Sequence, residues 1–351
     1  MKRVKIFCLL LVVGLVSQEG KGQLKPDFFP EDIDAWDEQG RCNFCQPGVR
    51  NRSRSRGLAL VYDLQSAADF IPEDARLASA PTRISQISLL MVDVKIPLIV
   101  KENFKFLLSY KYLRERYAFK TLEGNRSSIF QLLSDFPLKS HALGFIASKS
   151  INEDTYLAIQ GKYANNGNYA SAISLRSRSA IYQVRGVVGF KRTEDIEWGV
   201  GLNHRQSFRR INIIPFLVLN RNFSSQWGLE SVLPAYAFLR YNLDDRNILL
   251  FGPQYVSRSY QLSNPEVPDD PFDYAINHSE ILTSLRWQHQ WIPWLWSSFR
   301  LGYRFNFSTD FESRNPPVET FRADPTDSPS FQISLFLSPP RLLAAPWTLP
   351  P

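Results

Sequence analysis

The stretch that most limits what this chain can become runs from Ser297 to Ser308, SSFRLGYRFNFS. Read with a period of two, Phe299, Leu301, Tyr303, Phe305 and Phe307 fall on one side, and Ser298, Arg300, Gly302, Arg304 and Asn306 on the other. Successive side chains of a strand point to opposite faces. One face of this strand therefore needs an apolar medium and the other needs water or polar groups. The segment Phe104–Tyr112 repeats the pattern, with Phe104, Phe106, Leu108 and Tyr110 opposite Lys105, Leu107, Ser109 and Lys111.

Fourteen strand-like runs follow one another between Leu58 and Leu337, and no helical period of useful length is visible among them. The links between them sort by parity. Short ones, such as Ile99–Glu102, Ser150–Asp154 and Trp291–Trp294, follow even-numbered runs, and long ones, such as Glu115–Leu138 and Ser263–Asn277, follow odd-numbered runs. A soluble sandwich has no reason to sort its loops in this way. A membrane barrel does, with short turns on the periplasmic side and longer loops outside. Two links that belong to the long class, Phe208–Arg210 and Pro234–Ala235, are tight and predict a low outer rim. Nearby strands fall short of the ~9–11 residues of a tilted membrane strand, so twelve is the alternative count. The expected fold is an all-β, transmembrane, antiparallel up-and-down β-barrel of about fourteen strands.

Residues 1–22 read as a secretory signal: Lys2, Arg3 and Lys5 precede the apolar run Ile6–Val16, and Gly20-Lys21-Gly22 offers small residues for cleavage. Residues 23–56 form an N-terminal periplasmic extension, 57–337 the outer-membrane barrel and 338–351 a proline-rich C-terminal tail. Of the formal charge of +7 the signal carries +3, which leaves +4 and gives no ground for nucleic-acid binding. The expected location is the bacterial outer membrane. Its lipid and the barrel-assembly machinery are the expected partners, with small solutes as cargo.

Trp287, Trp291, Trp294 and Trp296 cluster about one short turn and are assigned to the membrane interface, where amphipathic rings favour the headgroup level. Cys42 and Cys45, in CNFC, are a candidate disulfide pair, with redox and metal roles as the alternatives. No metal site or cofactor is expected. The extension turns from acidic to basic, and Arg50, Arg52, Arg54 and Arg56 recur every second residue. Two readings stand: a patch for anionic groups at the barrel mouth, or a solvated segment whose arginines pair with the acids before them, and the second is favoured.

The segment Ile214–Leu243, IPFLVLNRNFSSQWGLESVLPAYAFLRYNL, resembles an uncharacterised family of outer-membrane β-barrel proteins of Bacteroidota, known as a domain of unknown function. The resemblance implies a fold and a location and brings no catalytic residues.

His204 and Ser207 in NHRQS are the nearest approach to a nucleophile and base, but an odd separation in a strand sends them to opposite faces. No enzyme is expected. The water-facing candidates are Lys105, Lys111, Arg185, Lys191, Arg300 and Arg304, which would line the lumen. They suggest a passive channel biased towards small anionic solutes. The alternatives are a closed structural or binding barrel, in which these cations pair with Asp63, Asp93 and Glu197, and, more weakly, an outer-membrane lipid hydrolase.

Overall fold

The computed structural model describes residues 47–72, 82–120, 128–169, 179–208, 210–263, 273–313 and 319–338. Cys42, Cys45, the signal and most of the C-terminal tail lie outside them. Among the described residues, sixteen strands run in chain order: β1 (Leu58–Gln65), β2 (Ala68–Pro72), β3 (Thr82–Val100), β4 (Phe104–Phe119), β5 (Leu138–Ser150), β6 (Thr155–Gly167), β7 (Ala180–Thr193) and β8 (Ile196–Ser207). They continue as β9 (Arg210–Asn222), β10 (Trp227–Leu233), β11 (Tyr236–Asp244), β12 (Asn247–Ser263), β13 (Asp273–Ile292), β14 (Leu295–Ser313), β15 (Thr320–Pro325) and β16 (Ser328–Leu337).

Fourteen of these close an antiparallel barrel. Each pairs with its neighbour around the ring, β14 pairs with β16, and β1 joins the two ends by pairing with both β16 and β3. Closure leaves no backbone edge unpaired, which is the condition for a sheet to lie in lipid. The alternation in the sequence becomes an alternation between outside and inside. On β14, Leu301, Tyr303, Phe305 and Phe307 are exposed, whereas Arg300 and Arg304 are buried. On β1, Leu58, Leu60 and Tyr62 are exposed, whereas Ala59, Val61 and Asp63 are buried. An outward apolar band around a polar, filled interior is the pattern of an outer-membrane barrel, and that is where this protein resides.

Beyond the middle of the barrel the wall narrows. Strands β7 to β11 end low, at the tight links near Phe208 and Pro234. Above them β6 and β12 meet directly: Gly167 lies opposite Gln261, Asn168 exchanges hydrogen bonds with Ser263 at 2.8 and 3.0 Å, and Asn166 donates to the Ser259 carbonyl at 2.9 Å. On the opposite side β1 and β16 stop, and the short strands β2 and β15 pair with each other to fill the gap between β3 and β14. The outer end is thus a smaller ring than the fourteen-strand middle.

Among the described residues, one helix sits in that ring. Helix α1 (Ser128–Asp135) lies in the long link after β4, a segment in which the sequence showed no helical period. At eight residues it is too short for periodicity to register, and packing rather than propensity holds it. Its Ile129, Phe130 and Leu133 join Phe70, Ile84, Tyr117, Tyr260, Ile276, Phe311 and Phe321 in one apolar cluster, with the Phe130 ring edge-on to Phe70 at 5.5 Å. This cluster draws on strands from both sides of the lumen and closes around α1 at the outer end.

Candidate functional site

The site is the interior, and it is built in three layers. The outer layer is the apolar cluster around α1. The inner layer is residues 47–57, which run across the mouth at the short-turn end. Gly48 N–H donates to Glu197 on β8 at 2.9 Å, and Arg50 binds Asp195 through Nε and Nη2 at 2.6 and 2.8 Å. Ser53 donates twice to Glu230 on β10, from N–H at 2.8 Å and from Oγ at 2.6 Å. Gly57 N–H then reaches the Leu337 carbonyl on β16 at 2.8 Å. The chain therefore straps one wall of the barrel to the other before entering β1.

The spacing of two explains how the strap is seated. Ser53 and Ser55 are buried against the barrel, and Arg52, Arg54 and Arg56 are half-buried. The Arg54 guanidinium lies 5.3 Å from the Trp296 ring and that of Arg56 lies 4.7 Å from the Phe336 ring, both at cation–π distance. The favoured expectation of a solvated extension is corrected here: Arg50 pairs with an aspartate of the barrel's own turn, and the segment docks across the mouth. Around Asp195, burial opposes ionisation, but hydrogen bonds from Asn222 and Arg50 outweigh it and hold the carboxyl below its usual range.

Trp296 also needs correction. Trp287, Trp291 and Trp294 are exposed about the turn, but Trp296 is 1% exposed and stacks inside against Phe336. The alternation that sends Arg300 and Arg304 inward sends Trp296 inward as well. Nearness to a turn was a weaker guide than parity along the strand.

The middle layer is a chain of ion pairs. Asp63 accepts from Arg300 and Arg304 at 2.6 Å each, and Arg304 also donates to Glu280. Arg258 links Glu280 at 3.5 Å to Glu115 at 3.1 Å, and Tyr117 and Tyr260 complete the environment of Glu115. His278 bridges Glu280 and Thr309. Nearer the inner mouth, Tyr156 donates to Glu197 at 2.5 Å, its ring crossing Gly189 so closely that a Cβ there would lie 2.0 Å from it.

All six lumen candidates face inward. Lys105, Arg185, Lys191, Arg300 and Arg304 are buried, and Lys111 lies 3.7 Å from Asp93, which Lys95 approaches at the same distance. Arg185 donates to Asn203 at 2.7 Å. The structure groups Arg300 and Arg304 with Asp63, so their charge is neutralised locally. It adds Arg205, Arg240, Arg258, Glu115 and Glu280, which the sequence reading passed over although each sits on the inward parity of its strand. His204 is half-buried on β8 and Ser207 is buried, three residues apart on opposite faces, so they form no nucleophile–base pair.

Between the inner and outer layers lies a cavity of about 120 Å³. It is lined by the arginines of the ion-pair chain and by Lys111, Lys162, Gln183 and Arg205, together with smaller polar and aliphatic side chains. Among the described residues, no group of three His, Cys, Asp or Glu side chains is placed to hold a metal.

No family model and no curated protein matches the chain. Among solved structures it is similar to a Pseudomonas aeruginosa FadL homologue, at 10% identity and a TM-score of 0.44, over 80% of this chain and 90% of that one. It is also similar to the Pseudomonas putida toluene transporter TodX, at 9% identity and a TM-score of 0.26, over 80% and 89% of the two chains. A third is the translocator domain of the autotransporter NalP from Neisseria meningitidis, at 10% identity and a TM-score of 0.30, over 80% and 88%.

Proposed function

We propose that the protein is a gated conduit for small hydrophilic solutes across the outer membrane. The observation that carries this reading is the polar cavity at mid-barrel, held between two constrictions that the chain makes from itself. A barrel serving only as a scaffold gains nothing from a charged cavity, because burying ions costs more than burying well-packed apolar groups. The inner constriction is the weaker one. It is held by hydrogen bonds, cation–π contacts and the water-exposed Arg50–Asp195 pair, whereas the outer one is an apolar core.

A bias towards anions cannot rest on Arg300 and Arg304, which Asp63 and Glu280 neutralise, and passes to the other cations of the cavity. The second reading is a closed barrel that acts through its outer loops, and the packing of α1 favours it. Swelling of proteoliposomes in graded neutral sugars and in charged solutes of equal size separates the two. The conduit reading expects slow swelling by the intact chain and faster swelling by an Arg50→Ala, Ser53→Ala variant with a loosened strap. Folded protein that gives no swelling in either form would establish the closed barrel instead.

A further inference from the structure

We infer that the central cavity is a binding site for one small oxyanion, with Arg205 as its anchor. The inference rests on the conduit reading for how solute reaches the cavity, and goes beyond it in naming the solute's chemistry and the residues that hold it.

Arg205 is 7% exposed and lines the cavity, and among the described residues no carboxylate forms an ion pair with it. This sets it apart from the other three cavity arginines, each of which has a carboxylate at hand. A buried guanidinium without a counter-charge is unfavourable, and native interiors pair such groups with a protein acid or a bound anion. Among the described residues no such acid is paired with Arg205. Asp63 is the one carboxylate among the lining residues, and Arg300 and Arg304 occupy both of its oxygens.

The surroundings are those of an anion site. Lys162, Gln183 and Arg205 stand directly opposite one another on β6, β7 and β8, forming a lateral row on the inner wall. Directly opposite residues on neighbouring strands keep their Cβ atoms about 5 Å apart, so one ligand can touch all three. The Gln183 amide already donates to Asn203 at 2.7 Å, which fixes its position in the row. Lys111 faces the same cavity from β4. Ammonium, amide and guanidinium donors converging on one space match a phosphate, sulfate or carboxylate, the guanidinium supplying two parallel N–H groups. The cavity, about 120 Å³, has room for an ion of that size together with waters.

The test is calorimetric titration of the refolded full-length barrel in detergent with inorganic phosphate, and separately with propionate and with glycerol. The site predicts saturable binding of one phosphate or one propionate per chain and no binding of glycerol. Binding should weaken at least tenfold in Arg205→Gln and in Lys162→Met, fall less in Arg205→Lys, and stay within twofold in Lys149→Gln on an exposed strand end. The shift in migration between unheated and heated gel samples reports folding of each variant. Lys162→Met, which keeps Arg205, serves if Arg205→Gln does not fold. Absence of saturable binding, or equal binding by wild type and the folded variants, overturns the inference. Binding without any solute flux would sink the conduit and leave the site standing, and flux without binding would do the reverse.

Discussion

Arg50 and Asp195, 145 positions apart in the chain, meet at the inner mouth through two hydrogen bonds of 2.6 and 2.8 Å. The pair fastens the strap to the turn between β7 and β8. Both side chains touch water, so its contribution is modest, about 0.5 kcal/mol. The sign of its pH dependence follows from Asp195, whose carboxyl is held below the ordinary 3.8. The stabilisation is complete above that value and is lost as pH falls through the lower folded one. A nitroxide placed by Arg52→Cys should gain mobility as pH drops below about 4. In an Asp195→Asn background its mobility should be higher at neutral pH and nearly independent of pH.

Asp63 stands between two arginines in a buried chain of charges. Replacing it by Ala leaves both guanidinium groups short of a partner, and should cost about 3 kcal/mol of stability in urea titrations followed by tryptophan fluorescence. Removing Arg300 as well, in an Asp63→Ala, Arg300→Met double variant, should recover part of that loss. Equal stability of wild type and Asp63→Ala would mean that water or a bound ion already serves these arginines.

Phe130 of α1 is fully buried at the centre of the outer cluster. Phe130→Ala should destabilise the folded barrel by about 3 kcal/mol, through lost burial and the space left behind. If α1 forms the outer constriction, the same variant should raise the size limit for sugars in proteoliposome swelling. Destabilisation without a change in size limit would place the constriction elsewhere.

Leu301 is 63% exposed on the outer face of β14, between the inward-facing Arg300 and Gly302. Leu301→Arg would put a charge into the hydrocarbon and should cost about 2–4 kcal/mol if the position lies near the bilayer midplane. Refolding yield into vesicles should fall accordingly. Leu301→Phe should refold as wild type.

What the sequence determined by itself is what a period of two can carry. Alternation along Ser297–Ser308 specified which side chains face outward, and the strand-like runs with their short and long links pointed to a barrel of about fourteen strands, with twelve as the alternative. Both are properties of neighbouring residues, and a closed antiparallel sheet is made almost entirely of neighbour-to-neighbour pairings. The same parity, applied further, would have turned Trp296 inward and marked Arg205, Arg240 and Arg258 as interior residues.

Only the tertiary structure decided what happens across the lumen. The meeting of Gly167 with Gln261, the seating of α1 among strands from opposite walls, the path of Arg50 to Asp195 and the sharing of Asp63 by Arg300 and Arg304 all join residues far apart in sequence. No local pattern encodes such contacts. They depend on how strands of unequal length bring their inward side chains to the same height, and at that height charge and volume, rather than periodicity, determine which groups pair and which, like Arg205, are left facing a cavity.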